Sequence, residues 1–103
     1  MINNKINKAR GYFNLARSGG YVIFGADNLK GYTHKLYLVV VRDDYGKTID
    51  KLFIKLKEQG IDHIILDPTT FNELTGMENC KLFAIKNKGL SVQIINNLRG
   101  EDG

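Results

Sequence analysis

Cysteine occurs once in the 103 residues, at Cys80. No disulfide can close within the chain, which suits a reducing compartment. No stretch reaches the length of a membrane span. The first residues, Met-Ile-Asn-Asn-Lys-Ile-Asn-Lys, lack the apolar core of a secretory leader. A cytoplasmic protein with no membrane partner is therefore expected. His34 and His63 stand far apart, with no Cys or His at ligand spacing, so neither a metal site nor a cofactor is expected. Cys80 has no identifiable activating partner, and no catalytic residues are assigned. The tyrosines and phenylalanines fall at core-pattern positions and form no recognisable stacking platform. Long linkers, repeats and low-complexity tracts are missing too. One domain over residues 1–103 is expected, with a polar tail from Arg99 to Gly103 that frays.

What is there is enough apolar material for a core: 43% of residues are hydrophobic, which argues against wholesale disorder. Lys plus Arg number 15 against 11 Asp plus Glu, a net +4, which permits a polyanionic partner without demanding one. Ile2, Ile6, Ala9, Phe13 and Ala16 recur at helical spacing, with Tyr12 and Leu15 beside them. Gly19-Gly20 stops that helix. Tyr21 to Phe24 is β-branched and aromatic, a short strand. Ala26 to Tyr32 reads as a short helix weakened by Gly31.

Leu36 to Val41 is a continuous apolar run, the mark of a strand buried on both faces. Asp43-Asp44 is placed to cap the next helix. Its apolar stripe is Ile49, Leu52, Phe53 and Leu56, and Lys47, Lys51 and Lys55 form a basic row expected to face solvent. Gly60 ends it. Ile61 to Leu66 is a third strand closed by Asp67-Pro68. Thr69 or Thr70 is expected to cap a helix through Leu74, with Glu73 at a capping-box offset from Thr70. Gly76 to Lys81 is a loop, and Leu82 to Ile85 a fourth strand. Lys88-Gly89 turns into a last helix carrying Leu90, Ile94, Ile95 and Leu98. Helices and strands alternate, helix first. That order gives an α/β sandwich, a central sheet with helices on both faces.

One stretch stands out for function. After Gly19-Gly20 and the short strand, Gly25 leads into Ala26-Asp27-Asn28 and a helix. Backbone N–H groups at that helix start lie beside side chains able to read hydrogen-bond edges. On the residues alone, Asp27 and Asn28 serve equally as ordinary helix caps beside a glycine hinge.

Phe13-Asn14-Leu15-Ala16-Arg17-Ser18-Gly19-Gly20, Gly25, and Leu38-Val39-Val40-Val41-Arg42-Asp43-Asp44 resemble motifs of a known family. It is the kink-turn RNA-binding ribosomal protein superfamily, of the L-seven-Ae and L-thirty-e type, and the likeness is greatest to its small bacterial YlxQ-type members. The first motif is similar to their Leu-Gly-Leu-Ala-Arg-x-Ala-Gly signature, and Gly25 sits where their helix-opening glycine does. Ile61 to Leu66 and Leu82 to Lys86 match the later strands in order. The likeness spans nearly the whole chain and is distinctive in its first half. It implies a three-layer α/β/α sandwich with a mixed four-stranded sheet. It also implies binding of structured RNA, ribosomal or otherwise kink-turn-like, as part of a ribonucleoprotein. RNA-binding members use a Gly-x-Asn-Glu turn whose polar side chains reach base edges in a distorted helix–bulge–helix RNA. Such distortion exposes edges that A-form RNA hides.

Carried over position by position, Gly25 matches the glycine and Ala26 the variable residue. Asp27 stands where the family has Asn, and Asn28 where it has Glu. A basic residue common further along falls on Gly31, with Lys30 adjacent. Ionised Asp only accepts hydrogen bonds, whereas Asn both donates and accepts. The 76–81 loop corresponds to a second family contact, where an apolar residue packs on an extruded nucleotide. Met77 is the residue for that role, or else it covers the end of the core. The resemblance thus implies RNA contacts at Gly25, Ala26, Asp27, Asn28 and Met77, and Lys30, Lys35 and Lys81 join the expected RNA contact set as basic residues placed to meet phosphates. Lys5, Lys8, Arg17 and His34 are candidates to complete a phosphate-facing rim with the lysines.

Two rival readings remain. A protein-interaction module on the same fold suits the loss of the Asn-Glu pair. An enzyme is suggested by Asp43, Asp44 and Asp67 after strands, with Lys86 nearby, as in the receiver domains of bacterial signalling. Receivers have five βα units and a longer acidic spacing, so a non-enzyme is expected.

Overall fold

Residues 4–99 are described by a computed structural model. Ile2 and the tail beyond Arg99 lie outside them. Five helices and four strands alternate: α1 (Asn4–Ser18), β1 (Val22–Phe24), α2 (Ala26–Lys30), β2 (Leu38–Arg42), α3 (Lys47–Glu58), β3 (Asp62–Leu66), α4 (Pro68–Thr75), β4 (Leu82–Ile85) and α5 (Lys88–Leu98). The sheet order is β1-β4-β2-β3. β4 runs antiparallel to both β1 and β2, while β2 and β3 are parallel. The sheet is therefore mixed, and the crossover between the parallel pair is α3.

The two faces carry separate cores. On one, Ala9, Phe13 and Ala16 of α1 join Phe71 and Leu74 of α4 and Ile94 of α5 against Leu38, Val40, Phe83 and Ile85. On the other, Leu29 of α2 and Leu52, Phe53 and Leu56 of α3 cover Val39, Val41, Leu82 and Ala84. This is the three-layer α/β/α sandwich. Every residue of β2 and β4 is buried, which is why their sequences show no polar alternation. Phe83 anchors the aromatic centre, with its ring centroid 4.9 Å from Phe13 and 5.6 Å from Phe71. Each such ring contributes about 1.5–3 kcal/mol through burial alone. No helix among the described residues is long and apolar enough to cross a membrane.

Several element ends differ from the sequence reading, each for a local reason. Leu36 is buried, yet β2 starts at Leu38 and ends on Arg42. Asp43 and Asp44 do not cap α3. Its N-cap is Gly46, because Asp44 is engaged by Arg42. The cap of α4 is Asp67 rather than a threonine. Its carboxylate accepts the Thr70 amide at 3.1 Å and the Thr70 hydroxyl at 2.7 Å, with Pro68 at the first helical turn, where the missing N–H costs nothing. Lys88 and Gly89 are already helical: Asn87 caps α5 by accepting from the Leu90 amide at 2.8 Å. Leu15, expected beside the α1 stripe, is 60% exposed.

Candidate functional site

The sheet has two ends of different character. Strands β1, β2 and β3 finish at one end, which we term the upper end, and β4 starts there. The Gly25 amide donates to the Leu82 carbonyl at 3.0 Å and the Arg42 amide to the Lys81 carbonyl at 2.9 Å. The 76–81 loop is thereby brought beside the turn that follows β1. Between them lies an open cleft of about 350 Å³, lined by Phe24, Gly25, Ile49, Asn79, Lys81 and neighbours.

Gly25 makes the corner. Its φ of 84° and ψ of 153° fall in a region that only glycine enters without strain. A Cβ there would meet no other atom within 4 Å, so the constraint is on the backbone, not on space. The corner leaves Asp27 and Asn28 exposed at the start of α2. The Asn28 Nδ2 donates to the Phe24 carbonyl at 2.8 Å. This fixes the amide's direction and leaves Oδ1 and the second N–H able to meet a ligand. No side chain caps α2, so the reading of Asp27 or Asn28 as ordinary N-caps does not describe this geometry.

Sequence reasoning missed Arg42 as the organiser of this end. It is 8% exposed and grips Asp44 through two bonds, Nε to Oδ1 at 2.7 Å and Nη2 to Oδ2 at 3.1 Å. Its Nη1 donates to Asn72 Oδ1 of α4 at 3.0 Å and to the Glu78 carbonyl at 3.1 Å. One guanidinium therefore ties the end of β2 to α4 and to the 76–81 loop. The acid two residues after an arginine at a strand end was the available signal. The Arg42 hydrogen bonds hold the Asp44 carboxyl below the usual carboxylate range, and Asp44 in turn raises the guanidinium further. Asp67 is likewise lowered, by the Thr70 hydroxyl and amide.

The other candidate residues divide. Lys81 belongs to this end, but its Nζ donates to the Asp44 carbonyl at 3.2 Å and lies 3.8 Å from the Asp44 carboxylate. Met77 is half-buried against the α1/α4 core, which is the core-covering role. Ala26 is half-buried beside the other core. Lys30 sits at the far end of α2 and lines a groove against α3. Lys35 is at the opposite end of the sheet. It precedes Tyr37, whose amide donates to the Ile85 carbonyl, and its Nζ lies 5.4 Å from the Tyr37 ring centroid. The length of β2, about 16 Å at about 3.3 Å per residue, separates it from Gly25.

The broader rim assembles only in part. Arg17 reaches the corner, its guanidinium 5.7 Å from the ring centroid of Phe24, which lines the cleft. Lys5 and Lys8 are on α1, in the other layer. His34 stands edge-on to Tyr32 at 5.5 Å. Lys86 follows the lower end of β4, where its amide donates to the Tyr21 carbonyl. It is thus removed from Asp43, Asp44 and Asp67, and a receiver-type acidic site with a neighbouring lysine is not formed. Among the described residues no group of three or more His, Cys, Asp or Glu side chains could hold a metal ion. Cys80 is buried, its Sγ donating to the Leu82 carbonyl at 3.1 Å.

No family model matches the chain, and no curated protein does. Among solved structures, a protein with unknown function from Bacillus halodurans C superimposes with a TM-score of 0.70 at 18% sequence identity. The match covers 89% of this chain and 97% of that one. Agreement of that extent at so low an identity shows that the two chains share a fold.

Proposed function

We propose that the chain is a non-enzymatic RNA-binding module of the kink-turn ribosomal protein type, working in the cytoplasm on a distorted, structured RNA. The observation that carries the reading is the Gly25 corner. A glycine-only backbone presents two exposed polar side chains, Asp27 and an oriented Asn28, at the rim of an open cleft. An RNA with a bulge that splays base edges outward offers donors to Asp27 and donors or acceptors to Asn28. A base turned out of the helix has the cleft between Gly25 and Asn79 to enter. The test is a salt titration of binding to a kinked helix–bulge–helix RNA and to a straight duplex of equal length. Tighter binding to the kinked RNA, with steep salt dependence, supports the reading. Equal affinity for both reduces it to charge attraction.

One observation favours a protein partner instead. Asp27, Asp43, Asp44, Asp67 and Glu78 are all exposed at or near the upper end, while Lys81 and Arg42 are both engaged with Asp44. A basic protein surface would complement such an end. Failure of both RNAs to bind, with retention on a cation-rich protein partner, would favour this second reading.

A further inference from the structure

The lysine row of α3 was expected simply to face solvent. Lys51 and Lys55 are exposed, but the packing of α2 against α3 turns them toward Lys30. Together with Thr48 and Leu52 these three lysines line an open groove of about 380 Å³. Among the described residues none of the three ammonium groups has a carboxylate partner. The nearest acid on α3, Asp50, acts on the Tyr45 hydroxyl, whose ionisation burial and then Asp50 push upward. No Asp or Glu lines this groove or the one that continues it past Lys30 and Lys55 toward Tyr32, His34 and Gln59. Like charges held together without counter-charges oppose one another, so the arrangement suits a ligand that brings negative charge.

The lower mouth adds a second feature. Tyr32 and His34 stand edge to face there, and the Lys86 Nζ lies 5.7 Å from the Tyr32 ring centroid. A basic groove leading to aromatic rings is the arrangement that tracks a single nucleic-acid strand, with phosphates on the cations and a base stacked at the end. Packed helix axes lie about 8–10 Å apart, so the groove between them admits one strand and is too narrow for a duplex.

We propose that the α2–α3 groove binds a single-stranded segment of RNA, its phosphates held by Lys30, Lys51 and Lys55 and a base stacked on His34 beside Tyr32. The groove starts below the Gly25 corner, so a strand leaving a kinked element there continues along it. The proposal shares with the function above the premise that the ligand is a polynucleotide, but it uses different residues and a different form of RNA.

The experiment measures binding of an oligouridine of about 15 nucleotides by the full chain at several salt concentrations. Three variants accompany the wild type: Lys30→Gln/Lys51→Gln/Lys55→Gln in the groove, Lys8→Gln/Arg10→Gln/Lys88→Gln elsewhere with equal loss of charge, and His34→Ala. The groove variant should lose about tenfold or more in affinity, and its logarithmic salt slope should fall by about two, near 0.7 per released phosphate. The control variant should lose less than about twofold, and His34→Ala about fivefold. Equal losses in both triple variants, or a groove variant that binds like the wild type, would overturn the proposal, as would a wild type without affinity for the oligomer. The kinked and straight RNAs run in parallel keep the two readings apart. Discrimination between them that survives in the groove variant supports the Gly25 corner alone. Oligouridine binding that depends on the groove, without discrimination between the two RNAs, supports the groove alone.

Discussion

The upper end of the sheet and the α2–α3 groove are both polar surfaces, yet they are organised in opposite ways. At the upper end the cations are engaged: Arg42 holds Asp44, Asp44 also meets Lys81, and Thr70 holds Asp67, while Asp27, Asp43 and Glu78 stay exposed. The result is a fixed frame around a glycine corner. In the groove three lysines line one cleft and, among the described residues, have no such partners. The difference separates shape from charge. A surface whose cations are already engaged presents a geometry to a polyanion, and a surface whose cations are not engaged presents an electrostatic demand. A bent polynucleotide needs both, one to recognise the bend and one to hold the backbone.

The largest expected effect lies beneath the upper end. Phe83 touches Phe13, Phe24 and Phe71 and is fully buried. Phe83→Ala should cost about 3–5 kcal/mol of stability by urea unfolding. A smaller loss would mean that the frame does not rest on this cluster. Next is Gly25→Ala, where only backbone strain acts because a Cβ meets nothing. It should cost about 1–3 kcal/mol and displace Asp27 and Asn28. An unaltered stability would show that the corner relaxes without strain.

Acid should separate the two regions. Asp44 and Asp67 have lowered folded pKa values, so the stability they contribute is complete above the unfolded carboxyl range, about pH 4. It is lost as pH falls through the folded values. Amide protection factors, taken relative to the intrinsic exchange rate at each pH, should therefore fall at residues 43–45, 67–70 and 78–81 on acidification before they fall in α3. A uniform fall in protection would contradict a frame held by these two carboxylates. The smallest effect belongs to the groove: Lys51→Gln should change stability by less than about 0.5 kcal/mol, since the ammonium has no carboxylate partner among the described residues. A clear destabilisation in a thermal melt would reveal a structural role.

The parts of this architecture legible in the sequence are those written in local pattern. Leu38 to Val41 reads as a doubly buried strand because burial on both faces removes polar alternation. Ala9, Phe13 and Ala16 read as a helix stripe because one face alone meets the sheet. The ends were less legible, since caps are decided by competition. Asp44 follows a strand and precedes a helix, and only the fold shows that Arg42 takes it first. Asp67 outcompetes Thr69 and Thr70 because Pro68 sets the first turn behind it. The Gly25 corner could be marked from its glycine and polar neighbours, although its contacts with the 76–81 loop come from β1 pairing with β4. The groove was not legible at all. Spacing puts Lys51 and Lys55 on one face of α3, but their meeting with Lys30 depends on how two helices far apart in sequence pack. Lys35 shows the converse: close in sequence to Gly25, it lies at the other end of the sheet from that corner.

The central claim, that the Gly25 corner reads a bent RNA, is tested most directly by titrating a kinked helix–bulge–helix RNA into isotopically labelled protein and following backbone amide resonances. The account predicts that shifts concentrate at residues 24–28 and 76–81, and that Asn28→Ala weakens binding while leaving the melting temperature nearly unchanged. Shifts confined to α1 and α5, or an Asn28→Ala variant that binds the kinked RNA as tightly as the wild type, would contradict it.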